Sequence, residues 1–121
     1  MKTHDREILL FYHPESTSDR KTLANALSLT KHIKAFDFSK VSTSGMNWLS
    51  ILDGLSMHPK DLLNKAHPYY RDHIKGKEFD DEGWVTVLSK NPDLIKFPIA
   101  IRGSRKLVCQ RPTDILQMLQ A

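Results

Sequence analysis

The stretch Tyr12-His-Pro-Glu-Ser-Thr-Ser-Asp-Arg20 gathers the residues best suited to chemistry. Ser16, Thr17 and Ser18 supply hydroxyls, His13 an imidazole, and Asp19 and Arg20 opposite charges. Two kinds of chemistry fit such a group. A hydroxyl can act as a nucleophile when a general base within hydrogen-bond range takes its proton. Alternatively, the free N–H groups that open a helix can hold an anion. The first demands more than the sequence offers, because His13 lies three residues from Ser16 across a proline turn and no third group stands by to orient it. Ser16 is therefore read as a helix N-cap, with Asp19 three residues on as a weakened capping box. For the second, the N–H groups of Thr17, Ser18 and Asp19 attract an anion. Asp19 opposes this with its own carboxylate, and Arg20 pulls the other way.

Two further sets of residues carry chemistry on paper. Cys109 is the only cysteine, so no intramolecular disulfide is available. It ends a Lys106-Leu-Val-Cys109 strand pattern, away from any helix start, and reads as a structural thiol. His58, His67 and His73 show no i, i+4 pairing, so no metal is expected. Trp48 and Trp84 each fall in a helical apolar stripe and are assigned to packing.

The elements that must position these groups follow from periodicity. Glu7–Tyr12 has the length and apolar character of a buried strand. Leu23, Ala26, Leu27 and Thr30 recur at helical spacing, which predicts a helix from Thr17 to about Leu29. Ile33–Phe38 suits a second strand. After the turn-forming Ser42-Thr43-Ser44-Gly45, the stripe Trp48, Leu49, Leu52 and Leu55 predicts a helix. Pro59 opens a short helix containing Leu62 and Leu63, and Pro68 opens another containing Tyr69, Tyr70 and Ile74, stopped at Gly76. Asp80 or Asp81 caps a fourth, with Trp84, Val85 and Leu88. Pro98–Ile101 and Lys106–Cys109 flank Arg102-Gly-Ser-Arg105, a hairpin with Gly103 in the turn. Pro112 starts a terminal helix with Ile115, Leu116 and Leu119 inward. The order is β-α-β, helices, β-β-α.

Composition narrows the classes. The 121 residues are read as one domain, 1–121, with 40% hydrophobic and 26% charged residues, ordinary for a soluble globular protein. Apolar runs of three or four residues are too short to span a bilayer, so no membrane partner is expected. The polar start MKTHDRE has no secretory h-region, and a single cysteine fits a cytoplasmic location. The net charge of +4 is spread along the chain. Arg102, Arg105, Lys106 and Arg111 form the nearest thing to a cluster, and without a basic run or zinc spacing nucleic acid is not an expected partner.

Three stretches resemble the ArsC/Spx group, which contains glutaredoxin-coupled arsenate reductases and Spx-type regulators. Tyr12–Arg20 is similar to its active-site turn, Asn-Pro-x-Cys followed four residues later by Arg. Leu62-Leu-Asn-Lys65 is similar to its Leu-Leu-Arg-Lys segment. Asn91–Ile101 is similar to Pro-x-Leu-Ile-x-Arg-Pro-Ile, followed by a hairpin and Arg-Pro. The resemblance implies an α/β, thioredoxin-like four-stranded mixed sheet with a helical insert at about residues 43–90. It also implies a cis Pro98 opening the strand opposite the turn. On this pattern Ser16 occupies the nucleophile position, His13 replaces Asn, and Asn64 and Phe97 stand where anion-binding arginines are found. Arg111 alone could represent the third. No catalytic residue is therefore assigned. His13, Ser16, Thr17, Ser18, Arg20, Pro98 and Arg111 form the candidate binding set for a small anion or a glutathione-like ligand, with no obligatory cofactor. The implied function is a non-enzymatic binding or regulatory protein with a protein partner. The competing reading is an arsenate reductase-type oxidoreductase linked to glutathione or glutaredoxin.

Overall fold

The computed structural model describes residues 6–40, 48–55 and 57–119. The turn expected at Ser42–Gly45 lies outside the described residues. The chain divides into two compact units, one of Met1–Val41 with Phe97–Ala121, the other Ser42–Lys96.

The first unit is built on four strands. β1 (Ile8–Tyr12) leads through α1 (Thr17–Leu27) to β2 (Ile33–Asp37), and β3 (Ile99–Arg102) turns into β4 (Arg105–Val108). The sheet order is β2-β1-β3-β4. β1 and β2 run parallel, with Leu10 opposite Ala35, while β1 and β3 run antiparallel, with Leu10 opposite Ala100. Gly103 turns the β3–β4 hairpin at a φ of 61°, and no non-glycine among the described residues has a positive φ. A glycine alone at the first central position is the type II′ arrangement.

Alternation along β1 explains the core. Ile8 and Leu10, at 1% and 0% exposure, face one way and pack with Ala26, Ala100, Cys109, Ile115 and Met118. Each such branched side chain contributes about 1.5–3 kcal/mol on burial. Phe11 faces the other way and stacks on Phe36 of β2, ring centroids 5.3 Å apart. The face that α1 buries consists of Asp19, Thr22 and Ala26. Leu27, expected inward, is 52% exposed. Small residues at i, i+3 and i+7 lie against the sheet, which turns Leu27 outward.

The chain closes with a 3₁₀-helix (Asp114–Leu119), not an α-helix starting at Pro112. Its three-residue period puts Ile115 and Met118 on one face. These two are buried, while Leu116 and Leu119, expected inward, are only partly covered. Arg102 and Arg105 of the hairpin donate to the carbonyls of Met118 and Gln117 at 2.5 and 2.7 Å. Two members of the basic cluster thus serve the carbonyl end of this helix.

The second unit holds α2 (Trp48–Gly54), α3 (Asp81–Lys90), 3₁₀ turns at Pro59–Leu62 and Pro92–Leu94, and a π-type turn at Tyr70–Ile74. In α2, Trp48 and Ile51 are buried and Leu49, expected inward, is 47% exposed. The three-residue step from Trp48 selects Ile51. Asp80 caps α3 by accepting the Gly83 N–H at 2.8 Å, and Trp84, Val87 and Leu88 are buried. Leu63 and Ile95 form an antiparallel bridge, with the Lys96 N–H donating to Leu62 O at 2.7 Å. The imidazoles of His58 and His67 accept the N–H groups of Lys60 and Tyr69 through Nδ1, so both serve local turns.

Candidate functional site

β1 delivers the chain into the turn, and Ser16 begins α1 in an extended conformation (φ −82°, ψ 124°). Its Oγ accepts the Asp19 N–H at 3.2 Å and donates to Asp19 Oδ1 at 3.1 Å. The second carboxylate oxygen of Asp19 accepts the His13 N–H at 2.9 Å. Ser16 thus caps the helix, but the box is not reciprocal, because the Ser16 N–H donates to His13 O at 3.0 Å and the acid accepts the Ser16 hydroxyl and the His13 N–H across the proline turn. Asp19 is only 2% exposed. A buried negative charge therefore already sits at the positive end of α1, where a bound anion would otherwise be favoured.

The other turn residues arrange themselves around this lock. The Arg20 guanidinium folds back, Nη1 donating to Pro14 O at 2.8 Å and Nη2 to Thr17 Oγ1 at 3.2 Å. The Ser18 carbonyl accepts from Thr22 Oγ1. His13 enters the cluster through its backbone N–H, while its ring lies 4.9 Å from that of Phe38. Ser16 Oγ is thus closed on Asp19, accepting its N–H as a helix cap and donating to its carboxylate.

Pro98 is buried and its carbonyl accepts the Cys109 N–H at 2.9 Å. No cis peptide bond occurs among the described residues, so the Phe97–Pro98 bond is trans, against expectation. The trans form is intrinsically favoured by about 0.5–1 kcal/mol, and the carbonyl's ladder-like bond to Cys109 is made in that form. Arg111 lies on the loop that follows β4. Its Nε donates to Asp114 Oδ1 at 3.3 Å, and its side chain is 79% exposed. Asp114 also accepts the N–H groups of Gln110 and Arg111.

Cys109 is 2% exposed. Burial pushes its thiol up to about 12, with the carboxylates of Asp114 and Asp19 adding to the effect. A thiol in such surroundings stays protonated at neutral pH, and the thiolate is the reactive form. In the second unit, Asn64 is exposed, its side-chain oxygen accepting the Ala66 N–H at 3.1 Å. Among the described residues, no group of three or more His, Cys, Asp or Glu could hold a metal ion. No helix among them is long and apolar enough to cross a membrane.

The structure therefore gathers His13, Ser16, Thr17 and Arg20 around one turn, ties Pro98 to Cys109, and assigns Arg111 to Asp114. Two acids matter more than their place in the sequence suggests. Asp19 organises the turn, and the Ser-x-x-Asp spacing signals it. Asp114 anchors the loop before the last helix, signalled only by its position three residues after Arg111.

The ArsC family model matches residues 11–118. No curated protein matches the chain significantly. Among solved structures, an arsenate reductase from Vibrio cholerae superposes with a TM-score of 0.80 at 14% identity, covering 95% of this chain and 99% of that one. A putative arsenate reductase from Yersinia pestis gives 0.75 at 16% identity, covering 92% and 99%. A possible arsenate reductase from Streptococcus mutans gives 0.73 at 17%, covering 93% and 98%. At these identities the likeness is one of fold, a thioredoxin-like mixed α/β sheet.

Proposed function

Because the chain belongs to the ArsC family and opens α1 with a serine, we propose that it is a non-enzymatic binding or regulatory member, with Ser16 in the nucleophile position. The observation that carries this reading is the state of the one sulfur nucleophile available. Cys109 is buried and its thiol is pushed up to about 12. Thiol-dependent reduction needs an accessible, low-pKa sulfur that attacks the oxyanion and then passes through a mixed disulfide. Ser16 forms no disulfide, and its hydroxyl is closed on Asp19. Function then rests on surface contacts with a protein partner in the cytoplasm, as Spx-type relatives act through protein contacts. A small anion or glutathione at the turn would be secondary to that role, and would have to displace the internal carboxylate of Asp19.

The test is coupled arsenate turnover with glutathione and glutaredoxin supplied, in wild type and Cys109→Ser. Turnover at background in both is the expected result. Robust wild-type turnover that disappears in Cys109→Ser would overturn the proposal in favour of an arsenate reductase-type oxidoreductase, the activity named for the structural neighbours.

A further inference from the structure

His-Pro occurs in the sequence at His13-Pro14, His58-Pro59 and His67-Pro68. In the second unit this step is used twice in one geometry. His58 precedes the 3₁₀ turn Pro59–Leu62 in an extended conformation (φ −67°, ψ 139°), and its Nδ1 accepts the Lys60 N–H at 3.1 Å. His67 precedes Pro68, and its Nδ1 accepts the Tyr69 N–H, also at 3.1 Å. Proline fills the first position of each turn, where no N–H is needed. The N–H two residues past the histidine has no acceptor inside the turn, and the imidazole supplies one.

Only a neutral imidazole can do this. A ring nitrogen that accepts carries no proton, so the one ring proton sits on Nε2. At His67 that nitrogen lies 3.0 Å from Asp93 Oδ2, and the carboxylate holds the ring in the same tautomer. A second proton would go to Nδ1 and set ring N–H against backbone N–H, two donors with no acceptor between them. The charged neighbours do not repair this. Around His58, Lys60 Nζ reaches Glu78 at 3.8 Å and Asp61 meets Lys65 at 3.5 Å, while the ring itself packs against Trp84, centroids 5.9 Å apart. Asp93 favours a charged ring at His67, yet it contacts Nε2 and offers the Tyr69 N–H nothing. The His13-Pro14 step differs, because there a hydroxyl, Ser16 Oγ, takes the Asp19 N–H and opens α1.

We propose that His58 and His67 are acid-sensitive caps. Imidazole is the side chain whose charge changes between about pH 5 and about pH 8. On protonation both rings give up their N–H partners, and the starts of the two turns open together. The second unit thus carries a conformational response to acid, written in a repeated dipeptide.

The test is backbone amide exchange at about pH 7.5 and about pH 5.5, each rate divided by that of the unstructured chain at the same pH. Protection at Lys60 and Tyr69 should fall at least threefold on acidification, while Asp19, under its serine cap, keeps its value. Asparagine caps through an oxygen that does not titrate. His58→Asn should therefore hold Lys60 protected in acid and leave Tyr69 responsive, and His67→Asn should do the reverse. The ¹⁵N shifts of the wild-type imidazoles give a second reading, with both rings expected to carry their proton on Nε2 at the higher pH. Equal wild-type protection at the two pH values, a fall at Lys60 that survives in folded His58→Asn, or an Nδ1–H tautomer at either ring would each overturn the proposal. Should a variant not fold, the wild-type exchange and ring shifts still decide.

Discussion

Restoring sulfur at the head of α1 should not by itself create a reactive thiol. Ser16→Cys puts the sulfur where Ser16 Oγ now lies, 3.1 Å from Asp19 Oδ1. Two unit charges at that separation repel by about 1.3 kcal/mol in bulk water and about 5 kcal/mol at an effective dielectric of about 20. Those limits correspond to about 1 to 4 pK units against the thiolate. The helix start favours the thiolate by about 0.3–1 kcal/mol, reaching about 2 kcal/mol in a partly buried setting. The carboxylate at least cancels the helix. We expect the Ser16→Cys thiol at or above the ordinary value of about 8.5, and the double variant Ser16→Cys/Asp19→Asn at least one unit lower. Asparagine keeps an acceptor for the His13 N–H, so the turn is retained. The measurement is the pH dependence of thiolate absorbance and of alkylation rate. Cys109 stays silent in it because its thiol is pushed up to about 12. A Ser16→Cys thiol well below 8.5 that does not respond to Asp19→Asn would refute the reasoning.

Three other outcomes follow from the geometry. Cys109 should resist alkylation at neutral pH in the folded protein and react only on unfolding. Its folded value lies above the ordinary one, so the folded state holds the proton more tightly and stability falls as pH rises from about 9 toward 12. The slope is up to about 1.4 kcal/mol per pH unit, visible as a falling melting temperature that is flatter in Cys109→Ala. Asp80→Ala removes the cap on α3 and should cost about 1 kcal/mol, read as a lower urea midpoint. An unchanged midpoint would show that the cap contributes nothing.

Most element types were legible because each had a local cause. β1 follows from one apolar run, α1 from Ser16 and Asp19, the hairpin from Gly103, and α3 from Asp80. Faces were less legible. Leu27 and Leu49 satisfy helical spacing, yet Thr22 and Ile51, outside the expected stripes, join Ala26 and Trp48 on the buried side. In helices of seven to eleven residues, several stripes fit the period, and only the opposing surface chooses among them. The last helix misled for a related reason, since its 3₁₀ pitch selects Met118 over Leu116. The proline isomer was beyond reach, because the two forms of an X-Pro bond differ by only about 0.5–1 kcal/mol and tertiary packing decides between them. At the turn, the contest between Asp19 and a bound anion was visible from residue types. Its outcome needed the 2% exposure of that carboxylate. The partnership of Arg111 with Asp114 depends on a loop that no periodicity describes.

The pairing of β1 with β3 at the middle of the sheet has a consequence for synthesis. These neighbours are separated in the chain by the whole unit Ser42–Lys96. A growing polypeptide therefore releases β1, α1 and β2 long before β3 and β4 emerge. In that interval one edge of β1 has no native strand to pair with, and Ile8 and Leu10 lack the cover of Ala100, Cys109 and Ile115. Long-range pairing of this kind folds slowly and leaves such surfaces open to other chains. The nascent protein is accordingly most exposed to aggregation before β3 and β4 are made.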